Sequence, residues 1–142
     1  MLIDGACHCG NIRFVLDWRG EPDTIAARAC DCTFCLKHGG VWTAQPAAAL
    51  RLRLRDPARV SRYAFGTRTA DFLVCATCGA VPAVVSRIET RLYAVVNVNA
   101  FENVDPARIQ RAPSSLDGET ETTRLARRRR NWIGDVEIAE GA

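Results

Sequence analysis

Cys75-Ala76-Thr77-Cys78-Gly79 decides the fold. Two thiols three residues apart on a tight turn can aim both sulfurs at one point. Zinc takes thiolate sulfur at about 2.3 Å in a tetrahedron. A glycine after the second cysteine lets the backbone turn beneath the metal without a Cβ in the way. Working outward, the same device stands near the start of the chain as Cys7-His8-Cys9-Gly10. Cys7, Cys9, Cys75 and Cys78 together supply four thiolates, a closed set that defines a structural zinc site. Such a site clips the N-terminal strand to a hairpin more than 60 residues later and contributes folding free energy outright. His8, between two ligands, is expected to face solvent.

The third cysteine group is Cys30-Asp31-Cys32-Thr33-Phe34-Cys35. Three sulfurs leave one zinc position free, which is the ligand count of a catalytic site. An open zinc could bind and deprotonate a substrate thiol, or polarise a carbonyl oxygen. Cys30, Cys32 and Cys35 are therefore the candidate catalytic residues. His38 or Asp31 as a fourth ligand would make this site structural instead, and His38 is also a candidate acid for a developing alkoxide. The total of seven cysteines is odd, which argues against a framework of disulfides and for a reducing, cytoplasmic compartment. No βαβ pattern surrounds the Cys75/Cys78 pair, so a redox role is disfavoured.

Between the cysteine groups the chain reads as strands. Asn11 to Trp18 alternates, with Ile12, Phe14, Leu16 and Trp18 on one face, and Leu50 to Arg55 alternates strictly. Val60 to Phe65 and Thr69 to Val74 flank a turn at Gly66-Thr67-Arg68, the pattern of a hairpin. Ile25 to Ala29, Val81 to Val85 and Leu92 to Val98 are apolar runs, the last rich in valine. Helix is expected only as short turns at Thr33–His38 and Asp105–Ile109. Ala44 to Leu50 is interrupted by Pro46, and Pro113 to Thr123 reads as a loop. Arg127-Arg128-Arg129-Arg130 reads as a solvated terminal segment whose arginines pair with surface carboxylates, with Trp132 packed on the sheet. Arg28, Lys37 and Arg87 are candidate holders of substrate carboxylates.

The chain has 142 residues, 48% hydrophobic and 25% charged, the composition of one globular domain over residues 1–142. No run approaches the ~20 apolar residues of a membrane span. Met1 to Gly5 has neither a basic region nor a long apolar stretch, so no secretory signal is expected. The formal charge is +3, but seven thiolates on two zinc ions would bring the total to neutrality. Nucleic acid is therefore not an expected partner. Exposed sheet edges would allow a homodimer.

The order Gly5-x-Cys7-x-Cys9-Gly10, Cys30-x-Cys32-x-x-Cys35, Phe72-x-x-Cys75-x-x-Cys78-Gly79 resembles the glutathione-dependent formaldehyde-activating enzyme family. The broad branch of that family also includes centromere protein V. The resemblance is clearest over residues 5–103. It implies a mainly β, zinc-ribbon-related (β-tent) fold of stacked antiparallel sheets with few short helices. It also implies two zinc ions, a structural one on Cys7, Cys9, Cys75 and Cys78 and an open, more weakly held one on Cys30, Cys32 and Cys35. The activity implied is that of a carbon–sulfur lyase joining glutathione and formaldehyde as S-hydroxymethylglutathione, a detoxifying step. After Cys35, where members often carry an arginine, this chain has Leu36, followed by Lys37, and Tyr63 to Phe72 is closer to the centromere protein V branch. Two other readings stand beside the lyase. One is a non-catalytic zinc-containing module binding protein or nucleic acid through Arg127–Arg130. The other is a different small-molecule enzyme, a zinc hydrolase or isomerase, on the same cysteines.

Overall fold

Strand periodicity builds two stacked sheets with a shared core. The structure is a computed structural model describing residues 1–141. In chain order the elements are β1 (Leu2–Ala6), β2 (Ile12–Asp17), β3 (Ile25–Cys30), α1 (Thr33–His38), β4 (Val41–Thr43), β5 (Ala49–Leu54) and β6 (Val60–Tyr63). There follow β7 (Asp71–Cys75), β8 (Ala83–Ile88), β9 (Arg91–Asn97), β10 (Ile109–Ser114), α2 (Glu121–Asn131) and β11 (Asp135–Glu140). The smaller sheet has the order β1-β2-β5-β11 and the larger β10-β3-β4-β9-β8-β7-β6. The protein is mainly β, as expected.

The alternation in β2 and β5 does what it predicts. Ile12, Phe14, Leu16, Leu50, Leu52 and Leu54 are buried, while Arg13, Arg51 and Arg53 face out. They pack with Ile3 against Leu73, Ala83, Val85, Ala94 and Val96 of the larger sheet. In β8 and β9 burial is nearly continuous, the mark of a strand covered on both faces. Successive residues serve opposite cores. Ala83, Val85, Ala94 and Val96 face the smaller sheet, whereas Val84, Tyr93 and Val95 join Cys35, Trp42 and Trp132 on the far side.

That far side is covered by the elements that carry the site. α1 is a single short turn with Cys32 at its N-cap and Gly39, at φ 74°, closing its C-terminus. α2 crosses the same face, and the chain leaves it through Ile133, which exchanges two backbone hydrogen bonds with Ala94 beyond the end of β4.

Three features depart from the sequence expectations. α2 occupies the stretch read as a solvated segment, and its start falls inside the stretch Pro113–Thr123 read as loop. β10 and β11 were not expected. Their pairings with β3 and β5 are parallel, so the sheets are not wholly antiparallel. In each case the partner strand returns after a long excursion through the rest of the chain, which permits parallel alignment where a hairpin does not.

Candidate metal centres

Two tight turns make the first cluster. After β1 the chain reverses, with the Gly10 N–H donating to Cys7 O at 3.0 Å and Gly10 at φ 85°. After β7 it does the same, with the Gly79 N–H donating to Cys75 O at 2.8 Å and Gly79 at φ 81°. A side chain strains such a left-handed backbone. The turns bring the Sγ atoms of Cys7, Cys9, Cys75 and Cys78 within 4.8 Å of one another. Cys7 Sγ lies 3.7 Å from Cys9 Sγ, and Cys9 Sγ 3.5 Å from Cys75 Sγ. A zinc tetrahedron with bonds of about 2.3 Å has sulfurs about 3.8 Å apart, so the donor set fits that ion. Backbone N–H groups also point at the sulfurs, from Ile12 to Cys7 at 3.3 Å and from Cys78 to Cys75 at 3.5 Å. Such donors favour thiolate over thiol.

Burial pushes the Cys7 thiol up to about 12, helped by the neighbouring thiols and opposed by the Ile12 N–H. Burial also raises Cys78, but the N–H groups of Ala80 and Cys9 and the thiols of Cys75 and Cys7 outweigh it and bring Cys78 down to about 6. These sulfurs share protons, and metal binding would release them. His8 is exposed, as expected.

The second cluster comes from the end of β3 and the start of α1. The Sγ atoms of Cys30, Cys32 and Cys35 also lie within 4.8 Å of one another. Among the described residues no histidine or carboxylate joins them, so neither His38 nor Asp31 completes the set. The N–H of Cys32 donates to Cys30 Sγ at 3.5 Å, that of Cys35 to Cys32 Sγ at 3.3 Å, and Trp42 Nε1 to Cys35 Sγ at 3.4 Å. A hydrogen bond from the Cys35 thiol, outweighing burial, draws Cys30 down to about 6. The same contact and burial push Cys35 far up. Three convergent sulfurs with N–H support fit a thiophilic cation and leave one tetrahedral position to something else.

A cavity of about 190 Å³ opens on this trio. Its floor is set by strand register. Phe72, Val84 and Val95 are consecutive partners across β7, β8 and β9, and all three reach the cavity with Trp42. Arg28, which pairs with Trp42 across β3 and β4, lines it too. The opposite wall is α2, through Arg124, Arg127 and Arg128. These arginines are spaced i, i+3, i+4, one helical face. Arg127 Nε donates to Glu119 Oε2 at 2.8 Å and Arg124 Nε to Glu119 Oε1 at 3.3 Å. The Arg127 contact, foremost, holds the Glu119 carboxyl below its usual range. Arg128 is buried, with its guanidinium 5.0 Å from the Trp132 ring.

The arginine run therefore divides. Arg129 pairs with the exposed Glu89 at 3.6 Å, which follows the expectation, whereas Arg127, at the cavity, pairs with the largely buried Glu119 and Arg128 turns inward. The helical spacing was the available signal for the cavity-facing three. Of the other candidate cations, Arg28 lines this cavity, Arg87 lines a separate groove with Arg62 and Arg91, and Lys37 is exposed on α1. His38 does not line the cavity. It packs on Phe34, with ring centroids 4.4 Å apart, and its Nε2 is buried without a partner. Burial lowers its pKa below the ordinary 6.5.

The model of the glutathione-dependent formaldehyde-activating enzyme family matches residues 2–114, and the chain belongs to that family. The crystal structure of a Rhodobacter sphaeroides protein is similar at 31% identity, covering 73% of this chain and 92% of that one, with a TM-score of 0.52. The family match ends with β10, so α2 and its arginines lie beyond it.

Proposed function

We propose that this protein is a zinc-dependent carbon–sulfur lyase-like enzyme that forms or cleaves a thiol–aldehyde adduct such as S-hydroxymethylglutathione. The observation that carries the reading is the three-sulfur cluster of Cys30, Cys32 and Cys35, with no fourth ligating side chain among the described residues, opening on a cavity. Cys7, Cys9, Cys75 and Cys78 would hold a structural zinc, and Cys30, Cys32 and Cys35 a second. The second zinc would supply Lewis acidity and favour thiolate at neutral pH.

The chain's own part is positioning. Phe72, Val84 and Val95 exclude water from one side of the cavity, and the arginines opposite orient a charged substrate. Holding thiol and aldehyde together makes a bimolecular step effectively unimolecular. The S–C bond forms as the carbonyl π bond breaks, and the thiol proton ends on the oxygen, so no oxidant is needed. His38, outside the cavity, is not assigned the proton.

Membership of the family supports glutathione and formaldehyde as the substrates to test first. Among the described residues no helix is long and apolar enough to cross a membrane. The seven free cysteines support a reducing, cytoplasmic setting.

The test is zinc content by native mass spectrometry, together with adduct formation from glutathione and formaldehyde followed by NMR. Two zinc ions per chain, with Cys32→Ser keeping one zinc and the wild-type Tm but losing adduct formation, is the expected result. One zinc, indifferent to glutathione, with Cys32→Ser unchanged in every respect, would favour a binding module built on the four-cysteine clip.

A further inference from the structure

Arg128 is a buried cation without a counter-ion. It is 7% exposed, on the inner face of α2. Its Nη1 donates to Thr69 Oγ1 at 2.7 Å and to Ser86 Oγ at 3.2 Å, both neutral hydroxyls. Its Nε is buried with no partner. Among the described residues it makes no ion pair, because the nearby carboxylate, Glu119, is taken by Arg127 and Arg124. Arg28, half-buried on β3, also makes no ion pair among the described residues. The two aspartates that line the same cavity, Asp31 and Asp117, are solvent-exposed and pair with neither. A buried guanidinium left without an anion is costly, and the cost is recovered when an anion enters.

The position of this charge relative to the other walls defines what enters. Cys30, Cys32 and Cys35 and the apolar floor of Phe72, Val84 and Val95 share one cavity with Arg28 and Arg128. We propose that Arg128, assisted by Arg28, binds the anionic head of the substrate. The substrate is then a small organic acid with an apolar body lying on the sheet floor and its reacting end at the cysteine trio. A carboxylate suits the planar fork of a guanidinium. This selects acidic, partly apolar thiols or their aldehyde adducts over neutral ones. The placement at the trio rests on the lyase reading, whereas the anion site itself does not. The device sits on α2, beyond the residues that the family model matches.

The test uses an acid that carries no thiol. Isothermal titration of the zinc-loaded protein with 3-phenylpropionate and with its uncharged amide compares the same body with and without the charge. The expected result is that the acid binds at least about tenfold more tightly than the amide, the low end for hydrogen bonds to a charged group. Arg128→Gln should lose that difference, and Arg28→Gln should reduce it. Should Arg128→Gln fail to fold, the acid–amide comparison on the wild type and on Arg28→Gln decides. Equal binding of acid and amide overturns the proposal. So does an Arg128→Gln variant that binds the acid as the wild type does, since the carboxylate would then be held elsewhere, for instance by metal at the cysteines. Adduct formation from 3-mercaptopropionate and 2-mercaptoethanol with formaldehyde reads the lyase step separately. Acid binding without turnover of either thiol would sink the lyase reading and leave the anion site. Equal turnover of both thiols without acid binding would do the reverse.

Discussion

Single side chains decide the two cysteine clusters that could hold metal and the behaviour around them. Cys75 is buried at the core end of the four-cysteine cluster. Structural zinc contributes about 10–16 kcal/mol in small zinc-binding peptides, against about 5–15 kcal/mol of total stability for a typical domain. Cys75→Ser should therefore abolish the cooperative melting transition and leave at most one zinc per chain, measured by calorimetry and metal analysis. His38 makes a milder prediction. Its folded-state pKa is lowered by burial from 6.5, so the folded protein binds fewer protons than the unfolded one as pH falls. This destabilisation is absent well above 6.5 and grows as pH drops from there through the lowered value. Denaturant midpoints at pH 7 and pH 5 should differ less for His38→Phe than for the wild type. An equal difference in both would show that His38 titrates freely.

At the scale of elements, α2 is held by its ends and by one buried stripe. Thr120 caps it, accepting from the Thr123 N–H while Thr123 returns a bond to the Thr120 N–H. An isolated helix of 11 residues is marginal in water, so its stability comes from Leu125, Arg128 and Trp132 against the sheet. Thr120→Ala should cost about 1 kcal/mol and Trp132→Ala about 3–5 kcal/mol, read from chemical denaturation. Trp132→Ala should also weaken binding of 3-phenylpropionate, because it removes the ring beneath Arg128. Affinity equal to that of the wild type would mean that the ring does not position the arginine.

For the whole molecule, the four-cysteine cluster ties one sheet to the other. Cys7 and Cys9 follow β1 in the smaller sheet, while Cys75 ends β7 in the larger and Cys78 follows it. Chelation of zinc should therefore raise amide exchange in β1 and at the β7–β8 turn together, while β8 and β9, buried on both faces, stay protected. Loss of protection in β1 alone would mean that the cluster is a local staple rather than a tie between sheets.

Much of this was legible in the residues themselves. The CxC, CxCxxC and CxxC spacings grouped the cysteines as the fold groups them, because ligand geometry leaves few ways to aim close-spaced sulfurs at one point. Alternation marked β2 and β5, and the valine-rich runs marked β8 and β9, because a buried strand face must be apolar. α2 was hidden for a physical reason. Its buried stripe runs through Arg128, whose hydrocarbon stem takes the place of an apolar residue, so no hydrophobic period announces it. β10 and β11 are edge strands with partners far away in sequence; β10 shows no alternation because Gln110 to Pro113 are all exposed, and β11 alternates only briefly, with Val136 and Ile138 half-buried beside exposed Asp135 and Glu137. The sequence by itself determined which sulfurs belong together and that the framework is β. Only the tertiary structure decided that the arginine tail forms a wall of the cavity at the cysteine trio. That wall depends on a long-range crossing of α2 over the sheet: helical spacing puts Arg124, Arg127 and Arg128 on one face but does not say what that face meets.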